Sequence, residues 1–531
     1  MPVFGIRKIW ESSAPLRLFL SVIGLGVLFA LYAFRVSENP PGFYVDESAI
    51  AYNAYLVSQT GAGESGTKLP LFFPVYTGVF TQYANPTQIY LLAVVFKTFG
   101  PGILAARLTA SVCVFVACLL LGLLARRMSK SNLIGLIVFG LALTTPWLFE
   151  IGRIVLETFF YPAALVILLW SVHRVSGKQS WSYIDAGAAA VSLALVTYSY
   201  TIGRALGPML AVGLIVFATS KVRLLSVVKV WTIYLLTLIP LIVYLNSNPG
   251  LSLRFRTLTY LRPDKPITEL AGEFLYRFAE DINPLTMLFA GDINPRHHMP
   301  GTGGSFYLGT FILAVVGIGV VVARHRRNSW WLYVLFGLAA SLVPGALTVD
   351  SFHTLRIIAY PVFLLVLTVP ALDWLVGEGI GYAADRPASP LISPTVRLSA
   401  ATAILGLTAA QAAFFFFQYH RFTADRAEYL DAAYKPLYDE AVAMRARPIY
   451  LVDGYWGPAY IHAFWYATVE NRGLTEFVHL PYGEHAPPGS LVLSSEYDCS
   501  DCDVIRSEGG FILYVQNGQP VQGTDGEAVT R

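Results

Sequence analysis

The stretch ILAARLTASVCVFVACLLLGLLARRMSK, residues 103 to 130, determines the class of structure to which this chain belongs. Residues 103 to 125 carry a single charge, Arg107, before the basic cluster ARRMSK at 125–130. Because an α-helix rises 1.5 Å per residue, this segment reaches about 35 Å and covers a hydrocarbon layer of about 30 Å. The pattern predicts a membrane-spanning helix whose basic end lies in the cytoplasm.

The composition of the whole chain agrees with a membrane protein. Of the 531 residues, 55% are hydrophobic, 14% are aromatic and only 13% are charged. Soluble domains carry about 25% charged residues, so this composition excludes an ordinary soluble enzyme. The formal net charge of +3 is too small to indicate a nucleic-acid partner. We therefore expect a polytopic protein whose partner is the lipid bilayer and which binds no nucleic acid.

Similar apolar runs recur along the chain, and with 103–125 they give eleven predicted spans. The others lie at 17–35, 132–148, 158–172, 184–200, 205–219, 228–245, 306–323, 330–347, 356–375 and 397–418. The run PTQIYLLAVVFKTFG at 86–100 is short and carries Lys97, which favours an interfacial or re-entrant helix. No small-residue cleavage site follows the first run, so we expect that run to be an anchor.

The distribution of basic residues predicts the orientation in the membrane. With eleven spans, five basic clusters fall on one face, and the positive-inside rule places that face in the cytoplasm. These clusters are residues 7–17, ARRMSK (125–130), HRVSGK (173–178), KVRLLSVVK (221–229) and RHRRN (324–328). The opposite face receives the first external loop 36–102, the long loop 246–305 and the tail from 419. We expect a multi-pass plasma (inner) membrane protein with a cytoplasmic N-terminus and an extracytoplasmic C-terminal domain.

Residues 419–531 differ in composition from residues 1–418. Strand-like segments occur at 448–454, 490–496 and 511–516, with the helical pattern GPAYIHAFWYATVE at 457–470. The sequence therefore predicts an all-α transmembrane domain over 1–418 and a small soluble α/β domain over 419–531. Residues 376–396 are rich in Gly, Pro and Ser and predict a cytoplasmic linker. Cys499 and Cys502 lie on the external side, where a disulfide is permitted.

The segment GAGESGTK, residues 61 to 68, has some features of a phosphate-binding loop. Thr67 separates Gly66 from Lys68, and no buried strand precedes the segment. The motif needs an adjacent Gly-Lys pair between a strand and a helix, so these residues do not provide a nucleotide site. We expect a flexible loop between two amphipathic helices.

Two adjacent acids follow the first predicted span. Asp46 and Glu47 begin DESAIAYNAYLVSQ, in which apolar residues recur at helical spacing. One interpretation is that Asp46 caps this helix and that Glu47 complements the helix dipole. The alternative is a functional carboxylate, because ionisable groups close to a membrane are costly and are retained for a task.

Further ionisable residues lie near the external ends of the predicted spans. They are Arg153, Glu157, Arg204, His353 and Arg356, with Asp281, Asp292 and Asp350 in the external loops. A carboxylate that faces several cations suits an anionic substrate whose reacting partner must lose a proton. The arginines also have a purely structural interpretation, because they can cap helix C-termini or extend to the membrane surface.

Several segments together resemble a known family. GFYVDESAIAYNAYLVSQTG (42–61), NPTQIYLLAVVFKTFGPGILAARL (85–108) and TTPWLFEIGRIVLETFFYPAALVILL (144–169) are similar to the first third of GT-C glycosyltransferases of the protein O-mannosyltransferase and aminoarabinose (lipid A) transferase type. TYSYTIGRALGPML (197–210), GDINPRHHMPGTGGSFYLG (291–309) and PGALTVDSFHTLRIIAYPVF (344–363) resemble later external-loop motifs of bacterial and archaeal members. The resemblance covers about residues 17–418 and implies the GT-C fold with juxtamembrane helices.

The resemblance implies an enzyme that transfers a hexosyl or pentosyl group from a polyprenyl-phosphate donor. The acceptor would be a lipid, glycan or protein on the extracytoplasmic side, and the anomeric carbon would be inverted. By match to the motif of the first loop, Asp46 would be the general base and Glu47 would orient it or the acceptor. Arg204, His353 and Arg356 would bind the donor phosphate, with Arg153, Glu157, Asp350 and Asp292 as further candidates.

The chain also departs from the family pattern. Many relatives carry Asp where this chain has Glu157, and aminoarabinose transferases have an E-K-P pattern where this chain reads YANPT (83–87). These departures weaken the assignment of the family's phosphate-binding lysine and metal site to residues of this chain. We therefore expect no obligatory cofactor. A divalent metal stays an alternative, for which the adjacent His297 and His298 are candidate ligands.

Two other functions remain open on the sequence. A transporter or flippase for a lipid-linked substrate needs ionisable residues near mid-span and on both faces, whereas here they concentrate on one face. A non-catalytic membrane scaffold needs none of them, so the external acids and cations should be freely replaceable. Of the three hypotheses, the glycosyltransferase is the one that explains why ionisable residues concentrate on the external face.

Overall fold

The structure is a computed structural model of the whole chain, and it describes residues 14–76, 82–248, 258–376, 393–455, 457–496 and 502–517. Helices dominate up to residue 421, and most strands lie beyond it. The helices, numbered in chain order, are α1 Ala14–Tyr32, α2 Val45–Thr60, α3 Pro86–Phe99, α4 Ile103–Ser129, α5 Asn132–Thr144, α6 Pro146–Ile151, α7 Tyr161–Ser176, α8 Tyr183–Ser199, α9 Gly203–Gly213, α10 Lys221–Ser247, α11 Ile267–Asp281, α12 Leu308–Arg324, α13 Ser329–Ala340, α14 Val343–Ala346, α15 Tyr360–Val376, α16 Pro394–Arg421, α17 Tyr434–Ala443 and α18 Tyr460–Val469.

Each predicted span coincides with a helix or with a pair of consecutive helical segments. Four helical segments in the described residues are both long and apolar enough to cross a membrane: Ile103–Ser129, Lys221–Ser247, Ser329–Ala346 and Pro394–Arg421. The other predicted spans form shorter apolar helices of 10–17 residues, such as α5 and α12, or the similarly short α7. The structure confirms a mostly helical membrane-type fold, and the count of eleven crossings stays a prediction.

The helix α3 corresponds to the segment predicted to be interfacial or re-entrant. Its 14 residues give a length of about 21 Å, which is less than the hydrocarbon thickness of about 30 Å. Proline at its first position and Gly100 after its last residue set its ends. The helix packs against α2 and α4, so it belongs to a structured segment between α1 and α4.

Small residues allow the long helices to pack closely. Gly122 of α4 and Gly135 of α5 face each other, and a Cβ on Gly122 would stand 2.6 Å from the Cβ of Phe139. Gly317 of α12 lies directly against the backbone carbonyl of Leu367 in α15. Small residues of this kind let helix backbones approach closely. Such packing matters in a membrane because lipid tails are as apolar as the helix surfaces, so no hydrophobic driving force brings the helices together.

The segment GAGESGTK differs from the expected flexible loop between two helices. Gly61 and Gly66 take positive φ values of 72° and 75°, and Leu69 donates a backbone hydrogen bond to Gly61. The buried Asn53 side chain accepts from the Glu64 backbone, and Glu64 accepts from Tyr460 of the C-terminal domain at 2.6 Å. A hairpin of β1 (Phe73–Tyr76) and β2 (Gln82–Ala84), which was not predicted, precedes α3. The segment is therefore an anchored turn.

The C-terminal region contains a five-stranded sheet with helices packed against it. Its strands are β3 Ile449–Val452, β4 Phe477–Leu480, β5 Leu491–Ser494, β6 Cys502–Glu508 and β7 Phe511–Gln516. The order is β4-β3-β5-β7-β6, with β3 parallel to β4 and β5 and the remaining pairs antiparallel. The three predicted strands correspond to β3, β5 and β7, and the predicted helix corresponds to α18. The proposed Cys499 bridge lies outside the described residues.

This sheet domain is packed onto the segment between α1 and α4. Trp465 of α18 is fully buried and stacks on Phe43 and Phe96, with ring centroids 5.4 and 5.8 Å apart. The same hydrophobic core therefore continues from the helices into the C-terminal domain.

Candidate active site

The first turn of α2 presents Asp46 to a cavity. Tyr44 is the residue that precedes the helix, and the Glu47 carboxylate accepts a hydrogen bond of 3.0 Å from the Tyr44 backbone amide. The capping role therefore falls to Glu47 and not to Asp46. Asp46 is half-buried and lines the cavity, whereas Glu47 is fully buried beneath it.

A buried ion pair fixes this turn. Arg107 of α4 donates to both Glu47 oxygens, at 2.9 Å from Nε and 2.7 Å from Nη2, and both side chains are fully buried. The Val155 backbone amide adds a further hydrogen bond of 3.0 Å to Glu47. The guanidinium also donates to the carbonyls of Pro40 and Gly42, at 2.6 and 2.7 Å. The pair therefore holds the backbone on both sides of Tyr44 and links it to Val155, which follows α6.

The C-terminal domain holds the same turn from the other side. The Asp431 carboxylate accepts a hydrogen bond of 2.9 Å from the backbone amide of Val45, the first residue of α2. His462 of α18 forms a hydrogen bond of 2.9 Å with the buried Ser48 hydroxyl. The orientation of Asp46 therefore depends on α4 and on the C-terminal domain together.

The cavity in front of Asp46, called here the Asp46 cavity, has a volume of about 200 Å³. Its polar lining brings together residues from five separate segments of the chain. These residues are Tyr44, Asp46, Glu157, Thr158, Tyr200, Arg296, His297, His353 and Arg356. Four of the predicted site residues, Asp46, Glu157, His353 and Arg356, thus meet in one place.

A second cavity, called here the Arg204 cavity, adjoins the first. It has a volume of about 370 Å³, and most of its lining is apolar. Arg204 and Arg356 supply its two guanidinium groups, and the two cavities share Tyr200, Leu258 and Arg356. The predicted cations Arg204 and Arg356 therefore lie on one continuous surface that leads from a mostly apolar chamber to Asp46.

Glu157 and Arg204 are linked through Asn85. The Glu157 carboxylate accepts from the backbone and the side chain of Asn85, at 2.6 and 3.2 Å. Arg204 donates to the Asn85 side-chain oxygen at 3.1 Å, and its guanidinium lies 4.5 Å from the Phe72 ring centroid. Asn85 therefore couples the position of the Glu157 carboxylate to that of the Arg204 guanidinium.

A second buried cluster fixes the loop that carries Arg296 and His297. Glu150 accepts from Arg426 at 2.9 Å and forms a hydrogen bond of 2.9 Å with His298. Arg426 also donates to the carbonyls of Pro295 and Arg296, at 2.6 and 2.9 Å. Burial opposes protonation of His298, but the Glu150 carboxylate outweighs it and raises the pKa of this residue. His298 therefore serves the loop and does not face the cavity.

Asp292, His297 and His353 form a compact cluster, with one ligand atom from each lying within 4.8 Å of the others. Two histidines and a carboxylate can bind a transition metal, so the predicted His297–His298 pair is replaced by His297 and His353 as the candidate ligands. Asp292 already accepts two hydrogen bonds from Thr354, at 2.8 and 2.7 Å. Burial opposes ionisation of Asp292, but hydrogen bonding and charge from His297 lower its pKa.

The charge of His353 differs from the expected one. Burial, followed by the positive fields of His297 and Arg356, lowers the pKa of His353 to about 3. The residue is therefore neutral at physiological pH, and it can donate or accept a hydrogen bond but carries no positive charge. The same field disfavours an additional cation at this point.

Two further candidates lie apart from the lining. Arg153 is fully buried and donates to the carbonyls of Tyr32, Phe34 and Asn39, at 2.6–3.0 Å, so it fixes the end of α1 and has no path to a substrate. Asp350 is ion-paired with Arg356 and is 45% exposed. Its position suits a residue that orients Arg356.

Comparison with known proteins supports the fold. No family model matches the sequence, and no curated protein is significantly similar to it in sequence. ArnT from Cupriavidus metallidurans bound to undecaprenyl phosphate superposes with a TM-score of 0.57 at 14% identity, over 94% of this chain and 98% of that one. Apo ArnT gives 0.55 at 15% identity, over 93% and 98%. The chain has the GT-C fold.

A second GT-C structure is similar over less of its length. The apo oligosaccharyltransferase from Archaeoglobus fulgidus has a TM-score of 0.50 and 13% identity, over 87% of this chain and 64% of that one. At such identities the likeness establishes the fold, and the chemistry of this GT-C chain must be argued from its own side chains. Those side chains converge on the two joined cavities.

Proposed function

We propose that this chain is an integral-membrane glycosyltransferase that uses a polyprenyl-phosphate-linked sugar. The observation that carries the proposal is the union of the two cavities at Arg356: one is mostly apolar with two guanidinium groups, and the other holds a carboxylate. An apolar chamber suits the prenyl chain, and arginine suits its phosphate because it can donate two parallel hydrogen bonds. One of the two ArnT structures contains undecaprenyl phosphate, which agrees with such a donor.

In the proposed reaction the donor phosphate lies between Arg204 and Arg356. The acceptor hydroxyl oxygen attacks the anomeric carbon of the sugar, and its proton passes to the Asp46 carboxylate. The bond between the anomeric carbon and the phosphate oxygen breaks, and its electron pair leaves with the polyprenyl phosphate. Attack from the side opposite the leaving group inverts the anomeric carbon. The arginines stabilise the charge that develops on the phosphate as the bond breaks.

Glu47 acts in this proposal as a positioning residue. Its side chain is fully buried and engaged by Arg107, so it cannot contact an acceptor. Its four hydrogen bonds fix the turn that directs Asp46. This arrangement modifies the expectation that Glu47 orients the acceptor itself.

The acceptor would approach from the side of the C-terminal domain. An open cavity of about 570 Å³ lies between the external loops and that domain, and it shares Tyr44 and Arg296 with the Asp46 cavity. Tyr429, Gly457 and Phe511 of the C-terminal region line it. An acceptor bound there would reach Asp46 without passing the lipid side, which suits a lipid, glycan or protein acceptor presented outside the cell.

The test uses purified protein and radiolabelled polyprenyl-phosphate sugars, with hexose and pentose donors in separate arms. Consumption of the lipid-linked sugar is compared for the wild type, Asp46→Asn and Glu269→Gln, the last being an exposed acid of α11 outside the cavities. We expect loss of a general base to lower the rate by about 10²–10⁴-fold in Asp46→Asn only. Equal consumption by all three proteins would show that Asp46 is not the base.

A further inference from the structure

A cavity of about 300 Å³ lies at the opposite end of the helical domain from Asp46. Arg107 near the start of α4 contacts Glu47, and Met128 near the end of the same helix lines this cavity. The two residues are 21 positions apart, which corresponds to about 32 Å along a helix. This separation is about the thickness of the hydrocarbon layer, so the cavity belongs to the other membrane face. It is called here the distal cavity.

The distal cavity carries an excess of positive charge. Arg223 of α10, Arg324 of α12 and Arg327 of the following loop line it, and Asp373 is the one acid among its lining residues. Within the described ranges, none of these three guanidinium groups forms an ion pair with an acidic side chain. Three arginines against one acid leave a net charge of about +2 inside a cleft, where low-dielectric walls strengthen the field.

Two buried polar groups in the lining lack partners in the described part of the chain. Trp330 is 5% exposed, and its indole nitrogen makes no hydrogen bond. The Nδ1 atom of His173 is buried and also unsatisfied, and the two rings are in edge contact, with centroids 4.8 Å apart. An indole N–H can only donate, so the group that satisfies Trp330 must be an acceptor.

The helices around the cavity add to the preference for an anion. The first turns of α10 and α13 contribute Arg223 and Trp330, and the N-terminal end of a helix carries a partial positive charge. Trp331 and Trp374 also line the cavity, and tryptophan is typical of the depth at which lipid head groups lie. Basic pockets between transmembrane helices are known to bind anionic lipid head groups.

We propose that the distal cavity binds the phosphate group of an anionic membrane lipid. The phosphate oxygens accept from Arg223, Arg324 and the Trp330 indole, and the acyl or prenyl chains extend past Trp331 and Trp374 into the bilayer. This site is separate from the donor site at Arg204 and Arg356 and does not depend on the glycosyltransferase proposal.

The test measures lipid binding to the purified full-length protein by native mass spectrometry. Phosphatidylglycerol, undecaprenyl phosphate, neutral phosphatidylcholine and inorganic phosphate are titrated in separate arms. The variants are Arg223→Gln and Trp330→Phe, the second of which removes the indole donor and keeps an aromatic ring. The matched control is Arg326→Gln, a neighbouring exposed arginine that does not line the cavity. Size-exclusion chromatography verifies that each variant is folded.

We expect one phosphate-bearing lipid to bind at a site whose affinity falls about tenfold or more in Arg223→Gln and in Trp330→Phe, but not in Arg326→Gln. Phosphatidylcholine should bind more weakly than the anionic lipids. The proposal fails if both cavity variants bind anionic lipids as tightly as the wild type. It also fails if only inorganic phosphate shows the dependence on Arg223, because the ligand would then be a soluble anion.

Discussion

Replacing Arg107 by leucine should both destabilise the protein and abolish its activity. Arg107 supplies two of the four hydrogen bonds to the fully buried Glu47 and the only positive charge in contact with it among the described residues. In the Arg107→Leu variant, the carboxylate keeps only the backbone amides of Tyr44 and Val155. Breaking a buried ion pair by removing one partner costs about 3–5 kcal/mol.

The free energy of unfolding is measured by titrating the detergent-solubilised protein with SDS. Arg126→Leu, an exposed position in the same helix, controls for the loss of an arginine from α4. Glu47→Gln and the double variant complete a double-mutant cycle. Because the double variant leaves no uncompensated charge, its loss should be smaller than the sum of the two single losses by about 1–3 kcal/mol.

Hydrogen exchange of residues 42–50 provides a local readout, since the pair fixes the backbone on both sides of Tyr44. Exchange in this segment should accelerate in Arg107→Leu and stay unchanged in Arg126→Leu. If Arg107→Leu lowers the free energy of unfolding by no more than Arg126→Leu does, the buried pair does not stabilise the site.

Three further predictions concern Arg204, Asp281 and Arg426. Arg204→Gln should raise the KM for the lipid donor about tenfold or more with a smaller change in kcat, because a phosphate contact is lost; a change in kcat alone would contradict this role. Burial raises the pKa of Asp281 from 3.8 to about 7, so ionisation of this carboxyl group opposes folding. As the pH rises from 5 to 8, the free energy of unfolding of the wild type should fall by about 2–3 kcal/mol relative to that of Asp281→Asn. Equal pH profiles of the two proteins in SDS titrations would refute this prediction. Arg426→Gln leaves the buried Glu150 with only His298 and the Met299 backbone amide as partners among the described residues, and it should reduce the free energy of unfolding by about 3 kcal/mol or more. Arg421→Gln, on the same helix-to-loop connection, should be nearly neutral.

The helical part of the fold could be predicted because a long run of apolar residues indicates a helix that lies in the hydrocarbon layer. Residues 103–130 form one helix over Ile103–Ser129, close to the predicted range. The strands β3, β5 and β7 were also predicted, since they are continuous apolar runs. The strand β6 was missed because its exposed residues give a weak pattern, and β4 was missed because only Phe477 is fully buried in it.

The functional residues were only partly predictable, because their partners are distant in sequence. Asp46 was singled out from its place next to a span, but the sequence left open whether Glu47 orients Asp46 or the acceptor, because its partner Arg107 lies 60 residues away. Arg426 and Glu150 are 276 residues apart, and nothing local reveals their contact. Arg296 was overlooked although it stands in the quoted loop GDINPRHHMP, where a count of external cations would have included it.

The lowered pKa of His353 illustrates a second limit. The sequence shows a histidine near Arg356 and Asp350, which is compatible with either charge state. Only the buried position and the adjacent ring of His297, 4.6 Å away between centroids, make the neutral form the stable one. Titration behaviour depends on packing from several segments and cannot be read from one of them.

The measurement that tests the central claim most directly separates donor binding from chemistry in Asp46→Asn. Radiolabelled polyprenyl-phosphate sugar is first bound to the purified variant, and acceptor is then added in a single-turnover experiment. If Asp46 is the general base, the variant should bind the donor with wild-type affinity and transfer the sugar about 10²–10⁴-fold more slowly. Transfer at the wild-type rate, or loss of donor binding with an unchanged rate of transfer from bound donor, would contradict the account.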